Sequence, residues 1–260
     1  GYPLDKRVFP WNHANCGDLN LSGERRPQSY LRETLWSDAP VSHIVVTPPV
    51  PSFPLNPDKA DWSVWDFPDV VDHWNFPGYE GKKMTVSVYS NCEQVELFLN
   101  GESLGKQENT ADKKNTLVWE VPYAHGILKV VSYNKGGEVG TATLESAGKV
   151  EKIRLSADRT EIVADGNDLS YITLELVDSK GIRNQLAEEL VEFSIEGDAT
   201  IEGVGNANPM SIESFVANSR KTWRGSNLLV VRSGKSSGRI IVTAKVKALP
   251  VASITITQKK

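Results

Sequence analysis

The stretch VELFLNGESLGKQ, residues 95–107, decides the fold class of this chain. In an extended strand alternate side chains point to opposite faces, so the apolar residues at 95, 97 and 99 share one face. Asn100-Gly101 then supplies the two positive-φ residues that a type I′ hairpin turn requires. We therefore predict two antiparallel strands joined by a tight turn, and we interpret this hairpin as scaffold and not as part of a binding site.

Strand-like segments continue on both sides of the hairpin. KKMTVSVYS precedes it and LVWEVP follows it, and a second set that runs from VEKIRLSA to SITITQ begins after Gly148. Short runs with a period of two, spaced by about ten residues, are typical of β-sandwiches of about 100 residues each. The pattern predicts an all-β fold with two Ig-like β-sandwich domains in tandem, at 62–147 and 148–260.

The segment before residue 62 does not follow this pattern. Pro27 and the QSYLRETLW that follows it predict a short helix, because proline suits the first helical turn and four residues share one side at helical spacing. These four are Tyr30, Leu31, Thr34 and Leu35. A helix of about ten residues is not stable alone, so it must pack against another part of the chain. Residues 38–61 contain six prolines and are predicted to form an extended connector, in which HIVVTP can add a strand.

The composition excludes several classes of function. The net charge is −4 and the sequence pI is near 5.7, so no basic field is present to hold a nucleic acid. The longest apolar runs have about four residues, whereas a membrane-spanning helix needs about 20. The two cysteines, Cys16 and Cys92, fall in different predicted modules, and the four histidines are scattered. We therefore expect no disulfide, no metal, no cofactor, no nucleic acid and no membrane.

A serine-nucleophile motif is present but lies in the wrong context. GKSSG, residues 234–238, matches G-x-S-x-G, which works at a sharp turn from a strand into a helix. Here a strand-like run precedes the motif and another follows it, so we predict a hairpin loop.

Paired carboxylates, which hydrolyse glycosidic bonds when they lie a few ångströms apart, are also not indicated. Glu188 and Glu189 are adjacent and would face opposite sides of a strand. Asp66, Asp69 and Asp72 alternate with apolar residues as a solvated edge does. The sequence offers no pair that we would assign as catalytic.

A tryptophan-rich segment, DWSVWDFPDVVDHWNFPGYEG, allows two interpretations. Trp62, Trp65 and Trp74 could form a platform on which a sugar stacks, which would make this part a carbohydrate-binding module. The other interpretation is core packing, because each aromatic side chain can bury about 150–250 Å² and a module of about 85 residues has little core to spare. The small size of the module favours core packing. Sugar contact by Trp62 and Trp65 remains the alternative hypothesis.

Three stretches together resemble family 2 glycoside hydrolases, the β-galactosidase group. FPWNHANCGDLNLSGERRPQSYLRETLW, residues 9–36, is similar to the closing strand, loop and helix of their (β/α)₈ barrel. HWNFPGYEGKKMTVSVYSNCEQVELFLNGESLGK, residues 73–106, resembles the Ig-like domain that follows the barrel in a bacterial subgroup. GVGNANPMSIESFVANSRKTWRGSNLLVVRS, residues 203–233, is similar to their last, invasin-like β-sandwich. The resemblance implies that residues 1–37 are the C-terminal remnant of a TIM barrel.

The resemblance carries an implication for chemistry. In this family the acid/base and the nucleophile are two glutamates on earlier barrel strands, and no residue of this sequence matches either motif. We therefore expect a non-catalytic accessory segment of a β-galactosidase-like parent that acts on O-glycosyl bonds. Barrel active sites lie at the C-terminal ends of the strands, so the loop before the helix is expected to rim the sugar pocket of the intact enzyme. Its residues are Trp11, Asn12, His13, Asn15 and Asp18.

The resemblance also implies partners and a location. The expected partner is the remainder of the parent glycosidase, while a glycan and a second copy of the chain are left open. The family implies a periplasmic, secreted or cell-surface location.

Overall fold

The computed structural model describes residues 9–11, 17–52 and 67–260. The chain divides into two compact units, residues 1–146 and 147–260. Regular structure in the described residues is almost entirely β-strand and forms four sheets, so the predicted all-β fold class with two β-sandwiches is confirmed. The predicted helix is present as α1 (Pro27–Trp36), whereas the strand and much of the loop of the same barrel-like segment fall outside the described residues.

The first unit contains α1 and seven strands among its described residues. The strands are β1 (Ser42–Val46), β2 (Lys83–Ser90), β3 (Gln94–Leu99), β4 (Glu102–Glu108), β5 (Thr116–Pro122), β6 (Ile127–Asn134) and β7 (Gly137–Glu145). They form two antiparallel sheets, in the orders β1-β2-β5 and β4-β3-β6-β7. Buried residues of both sheets meet in one hydrophobic core, which includes Val86, Leu97, Leu117 and Leu128.

The hairpin at residues 95–107 has the predicted turn. Asn100 and Gly101 have φ angles of 52° and 87°, as a type I′ turn requires. Val95 and Leu97 are fully buried in the core. The Asn100 side chain also accepts a hydrogen bond from the Ile127 amide at 2.8 Å, which ties the hairpin tip to β6.

The proline-rich connector contributes a strand to the first sandwich. Strand β1 lies within residues 38–61 and pairs with β2 along its whole length, from Ser42 opposite Ser90 to Val46 opposite Val86. The prolines stop at Pro40 and resume at Pro48, so the window between them can extend and donate to a ladder. Residues 42–46 of the predicted connector are therefore part of the first sandwich.

The second unit contains nine strands. They are β8 (Lys152–Ala157), β9 (Glu161–Val163), β10 (Leu169–Val177), β11 (Leu190–Glu196), β12 (Ala199–Gly205), β13 (Ser219–Lys221), β14 (Ser226–Ser233), β15 (Gly238–Val246) and β16 (Ala252–Lys259). The sheet orders are β12-β14-β10-β8 and β13-β11-β15-β16-β9, and the β16–β9 pair is parallel. The core between them includes Ile172, Leu229, Ile240 and Ile256.

The GKSSG motif is a loop between two strands, as predicted. It connects β14 to β15, and the Asp198 carboxylate accepts hydrogen bonds from the amides of Lys235 at 2.9 Å and Ser236 at 2.8 Å. No helix follows the serine, so the geometry of a nucleophile elbow is absent here.

Candidate docking interface

Helix α1 leaves large apolar side chains exposed at its C-terminal end. Leu35 and Trp36 are 62% and 80% exposed, whereas the polar Gln28 and Thr34 are each only 4% exposed. A surface helix normally buries its apolar residues and exposes its polar ones. The prediction that Leu35 belongs to the packed side of the helix is wrong, because the packed side ends at Tyr30, Leu31 and Thr34.

The packed side of α1 covers the outer face of the β1-β2-β5 sheet. Tyr30 and Leu31 contact a small hydrophobic cluster of Val45, Val70 and Tyr89. These contacts supply the packing surface that a helix of ten residues needs in order to be stable. The helix is therefore held by the first sandwich and does not depend on its own propensity.

Two asparagines of the sandwich hold the C-terminal end of α1. The Asn115 side chain donates to the Thr34 carbonyl at 3.3 Å and to the Thr34 hydroxyl at 3.1 Å. The Asn91 side chain donates to the carbonyls of Ser37 at 3.0 Å and Ala39 at 2.9 Å. The last carbonyls of a helix have no partner within it, so these bonds fix the end that carries Leu35 and Trp36.

A polar cluster joins α1 to strand β1. The Glu33 carboxylate accepts hydrogen bonds from Arg25 at 2.6 Å and from Nε2 of His43 at 2.9 Å. The rings of Tyr30 and His43 stack with centroids 4.4 Å apart, and the Tyr30 hydroxyl donates to Asp72 at 3.2 Å. Every charged group of this cluster is thus turned toward a partner within the unit.

The same contacts shift the ionisation of the cluster. The hydrogen bond from Arg25 lowers the pKa of Glu33, and the bond from His43 adds to this effect. Burial lowers the pKa of His43, against the opposing pull of Glu33. Burial, reinforced by Asp72, raises the pKa of Tyr30 to about 12. At neutral pH the cluster therefore holds a charged Glu33–Arg25 pair beside a neutral imidazole.

The predicted sugar-pocket rim is described only in part. Asp18 forms an ion pair with Arg32 of α1, and its carbonyl accepts a hydrogen bond from the Arg26 amide at 2.8 Å. Trp11 is half-buried. Asn12, His13 and Asn15 lie outside the described residues. The structure thus gives Asp18 a supporting role for α1, and a role of these five residues at a sugar pocket stays a prediction.

The structure also describes only part of the tryptophan cluster. Trp74 is fully buried, its Nε1 donates to the Ala124 carbonyl at 2.8 Å, and its ring meets Tyr123 edge-on at 4.9 Å. Trp74 is therefore a core residue and offers no face to a sugar. Trp62 and Trp65 lie outside the described residues, so their predicted contact with carbohydrate is not addressed by the structure.

Two of the aspartates that the sequence analysis considered have hydrogen-bond partners within the first unit. Asp72 bonds Tyr30, and Asp69 accepts a hydrogen bond from the Ser52 amide at 2.7 Å. No group of three metal-ligating side chains occurs among the residues outside the gaps at 1–8, 12–16 and 53–66. In the same ranges, no helix has the length and apolar character needed to cross a membrane. The exposed apolar end of α1 is therefore the feature that we consider as a candidate functional site.

A helical wheel could have shown part of this interface. Successive residues of an α-helix are about 100° apart, so Trp36 lies far around the helix from Tyr30 and cannot share its packed side. The contacts of Asn91 and Asn115 could not have been found this way, because they lie 54 and 81 positions from their partners Ser37 and Thr34.

Comparison with protein families assigns both units. Residues 153–255 match the glycoside hydrolase family 2 C-terminal domain 5, and residues 81–140 match a domain of unknown function, DUF4982. The chain thus belongs to the C-terminal region of family 2 glycoside hydrolases, and the family resemblance is confirmed. Both matched domains lie outside residues 9–36, so the barrel origin of that stretch stays a prediction.

Individual relatives agree with this assignment. The chain is 31% identical to the beta-galactosidase BoGH2A of Bacteroides ovatus over 97% of its own length and 26% of that protein. It is 30% identical to a beta-glucuronidase of Formosa agariphila, over 76% of this chain and 20% of that protein. A crystal structure of a glycosyl hydrolase family 2 member from Bacteroides cellulosilyticus aligns with a TM-score of 0.98 and 99% identity, over the whole chain and 34% of that structure. The chain spans about a quarter of the length of the curated relatives it matches.

Proposed function

We propose that the chain is a non-catalytic accessory segment of a family 2 glycosidase, and that the end of helix α1 docks onto the catalytic part of that polypeptide. The observation that carries the proposal is the exposure of Leu35 and Trp36 on a helix end that Asn91 and Asn115 hold in place. Burial of side chains of this size is worth about 1.5–3 kcal/mol each. A rigidly presented pair therefore favours a packed partner.

The relatives support the choice of partner. Those described above are named as a beta-galactosidase and a beta-glucuronidase, and this chain corresponds to a minor part of each. The parent is thus proposed to hydrolyse a β-glycosidic bond with residues outside this chain. The two names differ in the sugar that is cleaved, so the substrate is left at the level of a β-glycoside.

A turnover assay tests the non-catalytic part of the proposal. The purified 260-residue chain is incubated with an aryl β-galactoside and an aryl β-glucuronide, and release of the aryl group is followed. We expect no release above that of buffer. Turnover that survives repurification of the chain would contradict the proposal.

A calorimetric titration tests the alternative of a carbohydrate-binding module. Galactose- and glucuronate-terminated oligosaccharides are titrated into the same chain, and into the variants Trp62→Ala and Trp65→Ala. An accessory scaffold predicts no heat of binding to either sugar. Binding that disappears in either variant while the melting temperature is kept would favour the carbohydrate-binding alternative.

A further inference from the structure

A loop of the second unit presents three apolar side chains to solvent. It comprises residues 206–218 between β12 and β13, and we call it the 206–218 loop. Ile212, Phe215 and Val216 are 77%, 50% and 83% exposed. The beginning of the loop is different, because Asn206 and Ala207 are 4% and 5% exposed. The loop therefore has a buried base and an apolar tip.

A buried arginine holds the loop in one conformation. Arg220 is 1% exposed, and its guanidinium donates to the Glu213 carbonyl and to the Ser211 hydroxyl, each at 3.0 Å. The same guanidinium lies 4.3 Å from the centroid of the Phe215 ring. Burial lowers the pKa of Arg220, and its Nε has no hydrogen-bond partner. Burial of a charged guanidinium costs free energy of folding, so the second unit holds the loop at the expense of part of its own stability.

Asparagine side chains hold the other end of the loop. Asn206 donates to the Lys221 carbonyl at 2.8 Å, and its side-chain oxygen accepts from the Asn208 amide at 3.1 Å. Asn208 repeats the pattern by accepting from the Met210 amide at 2.9 Å. The Phe215 carbonyl also accepts from the Val204 amide at 2.8 Å, which joins the tip to strand β12. These bonds determine the loop conformation, while Ile212 and Val216 at the tip do not belong to the hydrophobic core of this unit.

The one carboxylate of the tip is hydrogen-bonded to neighbouring groups of the same unit. Glu213 is the one ionisable residue between 210 and 218, and its carboxylate accepts hydrogen bonds from the Lys221 amide and the Ser211 hydroxyl, each at 3.0 Å. The tip exposes three large apolar side chains, which match an apolar protein surface, whereas a sugar or anion site needs several polar groups that converge on one ligand.

We propose that the 206–218 loop docks on an apolar surface of the remainder of the parent polypeptide, a contact that rests on the proposed function. Three side chains are far fewer than the 20–30 residues per partner, about 800 Å², of a stable interface between separate chains. A tethered partner needs much less, because linkage raises its effective concentration. Such a partner is available, since about two thirds of the crystallised relative lies outside the aligned part.

Cysteine labelling tests this contact. Val216→Cys is placed in the full-length glycosidase polypeptide and in the 260-residue chain, and maleimide labelling of that peptide is timed by mass spectrometry. Maleimide reacts only when the loop is undocked. If the docked form is about ten times more populated than the undocked form, labelling is about tenfold slower in the full-length polypeptide. Val251→Cys, at a site 57% exposed in the same unit, is the matched control and is expected to label equally in both.

The outcomes separate this inference from the proposed function. Leu35→Cys reports docking of α1 in the same samples. Slow labelling at position 35 with equal labelling at position 216 would overturn the loop contact and leave the proposed function standing, whereas equal labelling at both would overturn both. Slowing at position 216 that appears only with added β-glycoside would contradict docking and indicate a sugar contact. Slowing that grows with the concentration of the 260-residue chain would indicate a second copy and overturn the proposal.

Discussion

Glu33 of α1 and His43 of β1 are joined by a hydrogen bond of 2.9 Å between a carboxylate oxygen and Nε2. Arg25 completes the arrangement with its own bond to the same carboxylate at 2.6 Å. Because a carboxylate can only accept, the imidazole must carry its proton on Nε2 when it is neutral. The attachment of α1 to the first sandwich therefore contains two groups that titrate in acid.

Acidification is expected to weaken this attachment in two stages. Burial lowers the pKa of His43 below its unfolded value of about 6.5, so the unfolded chain binds a proton more readily, and stability falls as the pH drops from 6.5 through the folded pKa. The hydrogen bond from Arg25 lowers the pKa of Glu33, so a second loss begins below about pH 4.5. Amide exchange of α1, followed from pH 8 to about pH 3 and corrected for the intrinsic pH dependence of exchange, measures both stages.

The first stage has a matched control. His43→Gln keeps a donor near Glu33 but does not titrate, so the loss beginning near pH 6.5 should disappear. His125→Gln removes an exposed histidine of the same unit and should leave the profile unchanged. If His43→Gln retained the loss of stability that begins near pH 6.5, as His125→Gln is expected to, His43 would not be its source.

Substitution of Asn115 is expected to loosen the end of α1. Asn115 has a φ of 60° and donates two hydrogen bonds to Thr34. Asn115→Gly keeps the backbone conformation and loses the bonds, at a cost of about 1 kcal/mol or more in unfolding free energy. Asn115→Ala should cost about 1 kcal/mol more, because alanine resists positive φ. Urea unfolding checks the order, and equal stability of the two variants would contradict it.

The hairpin turn gives a third prediction. Gly101 has a φ of 87° and no atom within 4 Å of an added Cβ, so Gly101→Ala tests conformational strain alone. We expect a loss of about 1 kcal/mol in unfolding free energy. Gly140→Ala, in β7 with an equally open site and no positive φ, should be close to neutral. A loss of sugar binding in Gly101→Ala without a change in melting temperature would contradict the scaffold interpretation of the hairpin.

Two tryptophans of the first unit, Trp74 and Trp36, should respond differently to the same change. Trp74→Phe removes the bond to the Ala124 carbonyl and leaves a cavity in the core, so we expect a loss of about 1–3 kcal/mol. Trp36→Phe changes a side chain that is 80% exposed and should be close to neutral in the 260-residue chain. Chemical unfolding of both variants measures the difference. Similar losses would show that Trp36 is packed within this unit.

The sequence predicted the parts of the fold that depend on neighbouring residues. Asn100-Gly101 specifies its turn locally, and Pro27 marks the start of α1. The strand allowed at HIVVTP is present as β1, but its pairing with β2, which begins only at Lys83, has no local signal in the sequence. The exposure of Leu35 has the same cause, since the packed side of α1 is defined by side chains of the sandwich that are distant in the sequence.

The candidate interfaces were beyond reach for a related reason. An apolar loop residue looks the same in a sequence whether it fills a core or is exposed, so Phe215 carries no sign of its exposure, and only the helical position of Trp36 could have indicated it. The role of Arg220 was also hidden, because a buried guanidinium is recognised only from the carbonyls and the ring that surround it.

Docking of the α1 end is tested most directly by hydroxyl-radical footprinting of Trp36. Oxidation of this residue is compared between the full-length glycosidase polypeptide and the 260-residue chain, with Tyr171, which is 41% exposed in the second unit, as the reference. We predict that Trp36 is oxidised several-fold more slowly in the full-length polypeptide while Tyr171 is unchanged. Equal oxidation of Trp36 in the two samples would contradict the account.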